Sequence, residues 1–258
     1  MRMSLNKQIA DWQGRRVWLV GASTGIGLAC AQALRAAGAL VVVSARNPQG
    51  VLDWAARDSG VQWCPLDVCD GPQVHATAQA LLATGPIDMV VYAAGYYQAQ
   101  RAKAMDLVVM LQHDKVNYQG ALQVIHAVLP SMLAHGSGHI SLLSSVAGWR
   151  GLPNGLAYGP TKAALTHLAE TLYLDLQDLG IGVSVVNPGF VATPLTAQNQ
   201  FTMPALISPE EAAREMLKGW AKGQFDIHFP KRFTLWLKLL RVLPYRVYFP
   251  LVRRFTGL

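Results

Sequence analysis

With 258 residues, 52% of them hydrophobic, the chain is long enough for one large α/β domain and does not require two. The formal net charge of +7 lies wholly in residues 231–258, which hold seven basic residues and no acid, so the neutral remainder argues against a nucleic-acid-binding protein. No window of about 18 apolar residues suggests a membrane span, the N-terminus lacks a signal-peptide pattern, and neither Cys30, Cys64 and Cys69 nor the seven histidines have metal-ligand spacing. These features predict a cytoplasmic protein without a metal, with free thiols and with Cys30 and Cys64 in the core.

Arg16–Val20 is a short apolar run that leads into Gly21-Ala22-Ser23-Thr24-Gly25-Ile26-Gly27, followed by a helical stretch closed by Gly38. Strand, glycine loop and helix together bring backbone N–H groups and a helix N-terminus up to a pyrophosphate. Gly21 permits the tight turn, Gly25 lets the backbone approach the phosphate, and Gly27 lets helix and strand pack closely, with Ser23, Thr24 and Ile26 between them. The second strand, Leu40–Val43, ends in Ser44-Ala45-Arg46-Asn47. An acid here would bind the ribose of NAD. The basic Arg46, with Ser44 and Ser23 as hydrogen-bond partners, points instead to the 2′-phosphate of NADP(H).

Pro48–Asp58 reads as a helix, Val61–Pro65 as a third strand, and Leu66, Asp67 and Val68 follow where a side chain meets an adenine. Asp70–Ala83 is a third helix and Ile87–Tyr92 a fourth strand, opening into the small residues Ala93, Ala94 and Gly95, which suit close approach to a cofactor ribose. Two helical segments fill Met105–Ala134 and include Asn117, which is disfavoured inside a helix and so has another reason to be there. His139–Leu143 is the fifth strand and delivers Ser144 and Ser145 at its C-terminal end. A long helix over Ala157–Leu179 and a sixth strand over Val183–Val186 complete the alternation. The sixth strand opens into the turn-rich Asn187-Pro188-Gly189-Phe190-Val191-Ala192-Thr193-Pro194. The fold class is α/β: a single Rossmann-type, doubly wound parallel sheet of about seven strands covered by helices on both faces.

Tyr158 and Lys162 are four apart and share one face of the long helix. Pro160 falls in the first turn, where its missing N–H costs nothing. A cation beside a phenol, whose ordinary pKa is about 10, is expected to lower it toward the range useful in general acid–base catalysis.

The stretches V-G-A-S-T-G-I-G (20–27), A-A-G (93–95), Asn117, S-S-V-A-G (144–148), Y-G-P-T-K (158–162) and N-P-G-F-V-A-T (187–193) stand in the order and spacing of the short-chain dehydrogenases/reductases. The chain resembles that family from Arg16 to Ile227. The resemblance implies that Tyr158 is the general acid in reduction and the base in oxidation. It implies that Lys162 lowers the phenol's pKa and holds the nicotinamide ribose, that Ser145 orients the substrate carbonyl with Ser144 as a structural neighbour, and that Asn117 holds a relay water. Pro188, Gly189, Val191 and Thr193 would bind the nicotinamide side. Two departures are visible: Tyr92 and Ala93 replace the asparagines of the family's usual N-N-A-G, predicting weaker bracing there, and Val20 stands where threonine is common.

The expected activity is NADPH-dependent interconversion of a carbonyl and an alcohol. Two alternatives use the same residues: an alcohol dehydrogenase working mainly in oxidation, and a nucleotide sensor without turnover. Tyr96, Tyr97, Trp149, Leu152, Leu156, Phe190, Leu195, Phe201, Met203 and Leu206 form an apolar set that predicts a lipophilic small-molecule substrate. The family resemblance implies a homodimer or homotetramer. Residues 1–230 are read as the catalytic domain and 231–258 as a basic amphipathic tail. That tail fits either a peripheral contact with the inner face of a membrane or a helix packed over the substrate entrance or a second subunit.

Overall fold

The computed structural model describes residues 4–48, 50–199 and 201–257. Among them, the strands β1 (Arg16–Val20), β2 (Leu40–Ala45), β3 (Val61–Pro65), β4 (Met89–Tyr92), β5 (Gly138–Leu143), β6 (Ile181–Pro188) and β7 (Asp226–Phe229) form one sheet in the order β3-β2-β1-β4-β5-β6-β7. Every pairing is parallel. The order reverses between β1 and β4, so a crevice opens at the C-terminal ends of these strands, where open α/β sheets bind ligands.

The strands carry apolar residues on both faces, as a sheet covered on both sides requires. Val17, Leu19, Val41 and Val43 point into one core with the helices α1 (Gly25–Ala36) and α7 (Pro209–Ala221). Trp18, Val20, Val42 and Val90 alternate into the other, with α3 (Gly71–Leu82), α5 (Gly120–His135) and α6 (Tyr158–Leu176). The remaining helices are α2 (Val51–Arg57), α4 (Leu107–Asp114), α8 (Lys231–Arg241) and α9 (Tyr245–Thr256).

Several boundaries differ from the sequence reading for local reasons. Helix α2 starts only at Val51 because Gly50 is left-handed, with φ of 86°; Gln49 lies outside the described residues. Helices α4 and α5 are joined by a π turn, Lys115–Gln119, with Asn117 inside it. The long helix ends as a 3-10 turn over Gln177–Leu179 that is closed by Gly180 at φ 77°. Helix α7 follows β6 and leads into the seventh strand, β7. Cys30 is buried in the core as expected, whereas Cys64 is only half-buried. No described helix is long and apolar enough to cross a membrane.

Candidate active site

At the end of β1 the chain turns through Gly21, whose φ is 83° and whose N–H donates to the Ser44 carbonyl at 2.7 Å. A Cβ at Gly21 would sit 2.3 Å from Cα of Ala94, so only glycine lets β1 and β4 close up here. Helix α1 then begins at Gly25. Side chains of Asp70, Asp106 and Ser208 cap α3, α4 and α7, but Thr24 makes no such bond at α1. The first N–H groups of α1 are thus left for an anion. They border a cleft of about 330 Å³ lined by Gly21, Ser23, Thr24, Gly25, Ile26 and Gly27.

Arg46 is exposed at the cleft and has no ion-pair partner among the described residues. Ser44, expected beside it, is a correction: it is fully buried in β2 and accepts a hydrogen bond from Trp18 Nε1 at 2.9 Å. Alternation along the strand turns Ser44 inward, and Ala45 and Asn47 line the cleft instead. Asp67, Val68, Ala93, Ala94 and Gly95 border the same space. The Asp67 carboxylate accepts the Cys69 N–H at 2.9 Å, which fixes that turn.

The fifth strand delivers two serines with different tasks. Ser144 is buried; its hydroxyl donates to the Lys162 carbonyl at 2.6 Å and lies 3.0 Å from Thr166 Oγ1, tying β5 to α6. Ser145 accepts the Ala147 N–H at 3.1 Å, and its hydroxyl stands close enough to the Tyr158 phenol to pull that group's pKa down. Tyr158 and Lys162 stand one turn apart at the start of α6, both bordering the cleft.

Their electrostatics differ from the expectation that the ammonium lowers the phenol's pKa. Burial pushes Tyr158 up to about 12, against a downward pull from Ser145, and Lys162 is not among the causes. Burial lowers Lys162 to about 7. Its Nζ donates to the Leu143 carbonyl at 2.7 Å and stands 5.5 Å from the centre of the Tyr158 ring. A cation so placed faces the ring rather than the hydroxyl, and desolvation of both groups outweighs their attraction.

Asn117 explains its own presence in a helix. Its Oδ1 accepts the Tyr96 N–H at 2.7 Å, and its Nδ2 donates to the Tyr96 carbonyl at 3.1 Å and to Thr161 Oγ1 at 3.0 Å. Thr161 in turn donates to the Tyr158 carbonyl at 2.8 Å. Asn117 therefore braces the loop after β4 against the start of α6. A relay water would have to use its remaining Oδ1 lone pair or its backbone carbonyl. Tyr92 replaces the bracing expected to be lost: it is buried, and its hydroxyl donates to the Val116 carbonyl at the π turn.

Pro188, Gly189, Val191, Thr193 and Leu195 line the far side of the cleft. Tyr97 packs edge-on to Tyr158 with ring centres 5.2 Å apart. Other residues of the expected apolar set face elsewhere. Phe190 packs between Phe201 and Phe233, and Trp149 and Leu152 lie under α8. Sequence reasoning missed Asn47, Val116, Leu143 and Thr196 as cleft residues. It also missed His113, a fully buried residue whose Nδ1 donates to Val109 O at 2.7 Å and whose Nε2 accepts Gln98 N–H at 3.1 Å. None of these carries a motif that separates it from ordinary core.

The site residues fit a nicotinamide dinucleotide through an uncapped helix N-terminus, a glycine turn that admits no Cβ, and an unpaired arginine at the cleft. The family profile described as short chain dehydrogenase matches residues 15–203. An uncharacterized oxidoreductase of Myxococcus xanthus is 33% identical over 252 residues, covering 95% of this chain and 99% of the relative. A short-chain dehydrogenase from Streptomyces avermitilis superposes with a TM-score of 0.79 at 26% identity, covering 88% of this chain and 91% of that one. A gluconate 5-dehydrogenase from Burkholderia cenocepacia, solved with NADP and tartrate, gives 0.77 at 25% identity, covering 90% and 98%. Fold, site and relatives agree: the chain is an oxidoreductase of the short-chain dehydrogenase family, whose members bind a nicotinamide cofactor.

Proposed function

We propose that the chain reduces a lipophilic ketone or aldehyde to the alcohol with NADPH, using Ser145, Tyr158, Lys162 and Asn117. The observation that carries this reading is the convergence of Ser145, Tyr158 and Lys162 at a cleft that also holds the unpaired Arg46. Arg46 would hold the 2′-phosphate, with Ser23 beside it, and Lys162 the nicotinamide ribose. When bound, the cofactor supplies the hydride that attacks the carbonyl carbon.

Tyr158 gives its phenolic proton to the carbonyl oxygen as that oxygen becomes an alkoxide. A phenol held at about 12 carries its proton at neutral pH, the state that reduction requires, while the raised value makes it a weaker acid than a free phenol. Ser145 stabilises the charge developing on the same oxygen. The Lys162 ammonium, when protonated, stabilises the phenolate left behind. Leu195 lines the cleft, and the ring of Tyr97, edge-on to Tyr158, adds apolar surface beside it. We further propose a homo-oligomer through the helices flanking Asn117 and Tyr158, where Leu107, Val108, Leu111 and Leu174 are exposed.

The test is absorbance of the reduced nicotinamide with NADPH or NADH and a panel of long-chain aldehydes, steroid-like ketones and short polar carbonyls. Expected are consumption of NADPH with the lipophilic members and a loss of about 100-fold or more in Tyr158→Phe. Arg46→Ala should weaken NADPH by about tenfold or more and leave NADH unchanged. Tight NADPH binding with neither reduction nor oxidation would establish the sensor reading instead.

A further inference from the structure

We infer that α8 and α9 together form a face that docks on the surface of an anionic phospholipid bilayer. The inner sides of both helices are used up by the body. Phe233 packs against Phe190 with ring centres 5.7 Å apart, and Thr234 is buried on His228 Nδ1 at 2.7 Å. Lys238 pairs with Asp226 at 2.6 Å, and the buried Tyr248 donates to the Gly151 carbonyl at 2.8 Å. These contacts fix which side of each helix faces outward.

The outward side of α8 carries Arg232, Leu235, Trp236, Leu239 and Val242, spaced three and four apart on one stripe. Trp236 is 68% exposed and Val242 76% exposed. On α9, Tyr245 and Phe249 are exposed among Arg246, Arg253 and Arg254, and Phe255, at the end of the helix, is 79% exposed. So much exposed apolar and aromatic surface on one element marks an interaction site.

Charge selects the occupant. Residues 231–258 contain seven basic side chains and no acid. A second copy docked by the same face about a two-fold axis would set arginine against arginine with no carboxylate to answer it. A bilayer with anionic headgroups meets both demands: its interface takes up leucine, tryptophan and phenylalanine while its phosphates pair with arginine. Helices of 11 and 12 residues, separated at Pro244, are too short to cross and lie in the interface plane. The inner side of α8 touches the Gly189–Phe190 loop, so the docked face stands directly behind the cleft wall. The inference does not depend on the reaction proposed above.

The test is flotation of the full chain, without substrate or cofactor, on vesicles of phosphatidylcholine alone or of equal parts phosphatidylcholine and phosphatidylglycerol. Expected are partition into the mixed vesicles, weakening as salt is raised, and little partition into the neutral ones. Arg253→Gln with Arg254→Gln should lower partition by about thirtyfold, and Trp236→Ser with Phe255→Ser by about tenfold or more. All four side chains are exposed, and circular dichroism checks that both variants fold. Failure of the native chain to float with mixed vesicles, equal partition into both kinds, or partition untouched by the variants would overturn the inference. So would a concentration-dependent dimer that Trp236→Ser abolishes in the absence of vesicle binding, which would make this face a subunit interface.

Discussion

Lys162 holds its ammonium 5.5 Å from the centre of the Tyr158 ring while donating to the Leu143 carbonyl at 2.7 Å. Burial sets both protonation states: the lysine falls from 10.5 to about 7, and the phenol rises from 10.0 to about 12. Between about pH 7 and the ordinary lysine value, the folded chain binds fewer protons at Lys162 than the unfolded chain does. Stability therefore rises with pH across that window. The phenol acts oppositely only above pH 10, where its contribution to stability is lost as pH climbs toward 12. The unfolding free energy of the native chain, taken relative to that of Lys162→Met, should accordingly increase from about pH 7 to about pH 9.5 without nucleotide. A difference that stays flat would show that the ammonium is not desolvated.

Asn117 closes three hydrogen bonds between the π turn, Tyr96 and Thr161. Asn117→Ala leaves both polar groups of the Tyr96 backbone and the Thr161 hydroxyl to find other partners. It should destabilise the fold by about 2–3 kcal/mol in chemical denaturation. Because Tyr97 follows directly and packs on Tyr158, turnover should fall more than cofactor affinity does. An equal loss in both would argue that the brace acts on the nucleotide end instead.

Tyr92 makes the opposite point about replacing a familiar residue. Its ring is buried, its hydroxyl reaches the Val116 carbonyl, and Gly120 leaves it room, since a Cβ there would meet the phenol oxygen. Tyr92→Asn, which restores the residue usual in the family, should destabilise this chain by about 3 kcal/mol, because asparagine fills less of the site and cannot span to the π turn. A neutral or stabilising outcome in thermal unfolding would show that the tyrosine is no substitute brace.

These cases mark what could be read from residues alone. The alternation of strands and helices in a parallel sheet, and the convergence of Gly21, Ser145, Tyr158 and Lys162, follow from hydrophobic runs and spaced motifs, which are local signals. The failures are of another kind. Its position near a strand end points Ser44 to the cleft, but the alternation of β2 and the indole of Trp18 decide which way it faces. The direction of the Tyr158 shift depends on desolvation, a property of the packed site rather than of the interval between two residues. The S-P-E-E start of α7, with Ser208 accepting the Glu211 N–H at 3.2 Å, is a legible capping pattern, whereas the four-residue β7 is too short for periodicity to reveal.

Arg150 links the loop after Ser145 to the tail, and its removal should uncouple them. Its Nη1 donates to the carbonyls of Leu240, Arg241 and Leu243 at 3.0, 3.2 and 2.6 Å, at the C-terminal end of α8. The guanidinium also lies 4.6 Å from the centre of the Tyr245 ring and 4.0 Å from that of Tyr248. A lysine could supply the charge but not the planar group that faces both rings while capping a helix. Arg150→Ala should therefore raise amide hydrogen exchange across residues 231–256 by about tenfold to a hundredfold, with Arg150→Lys between it and the native chain. The central strands should keep their protection, because none of these contacts reaches β1 or β4. If exchange rises equally in the sheet, Arg150 supports the whole fold; if it rises nowhere, the tail is held by Tyr248 and Lys238 without it.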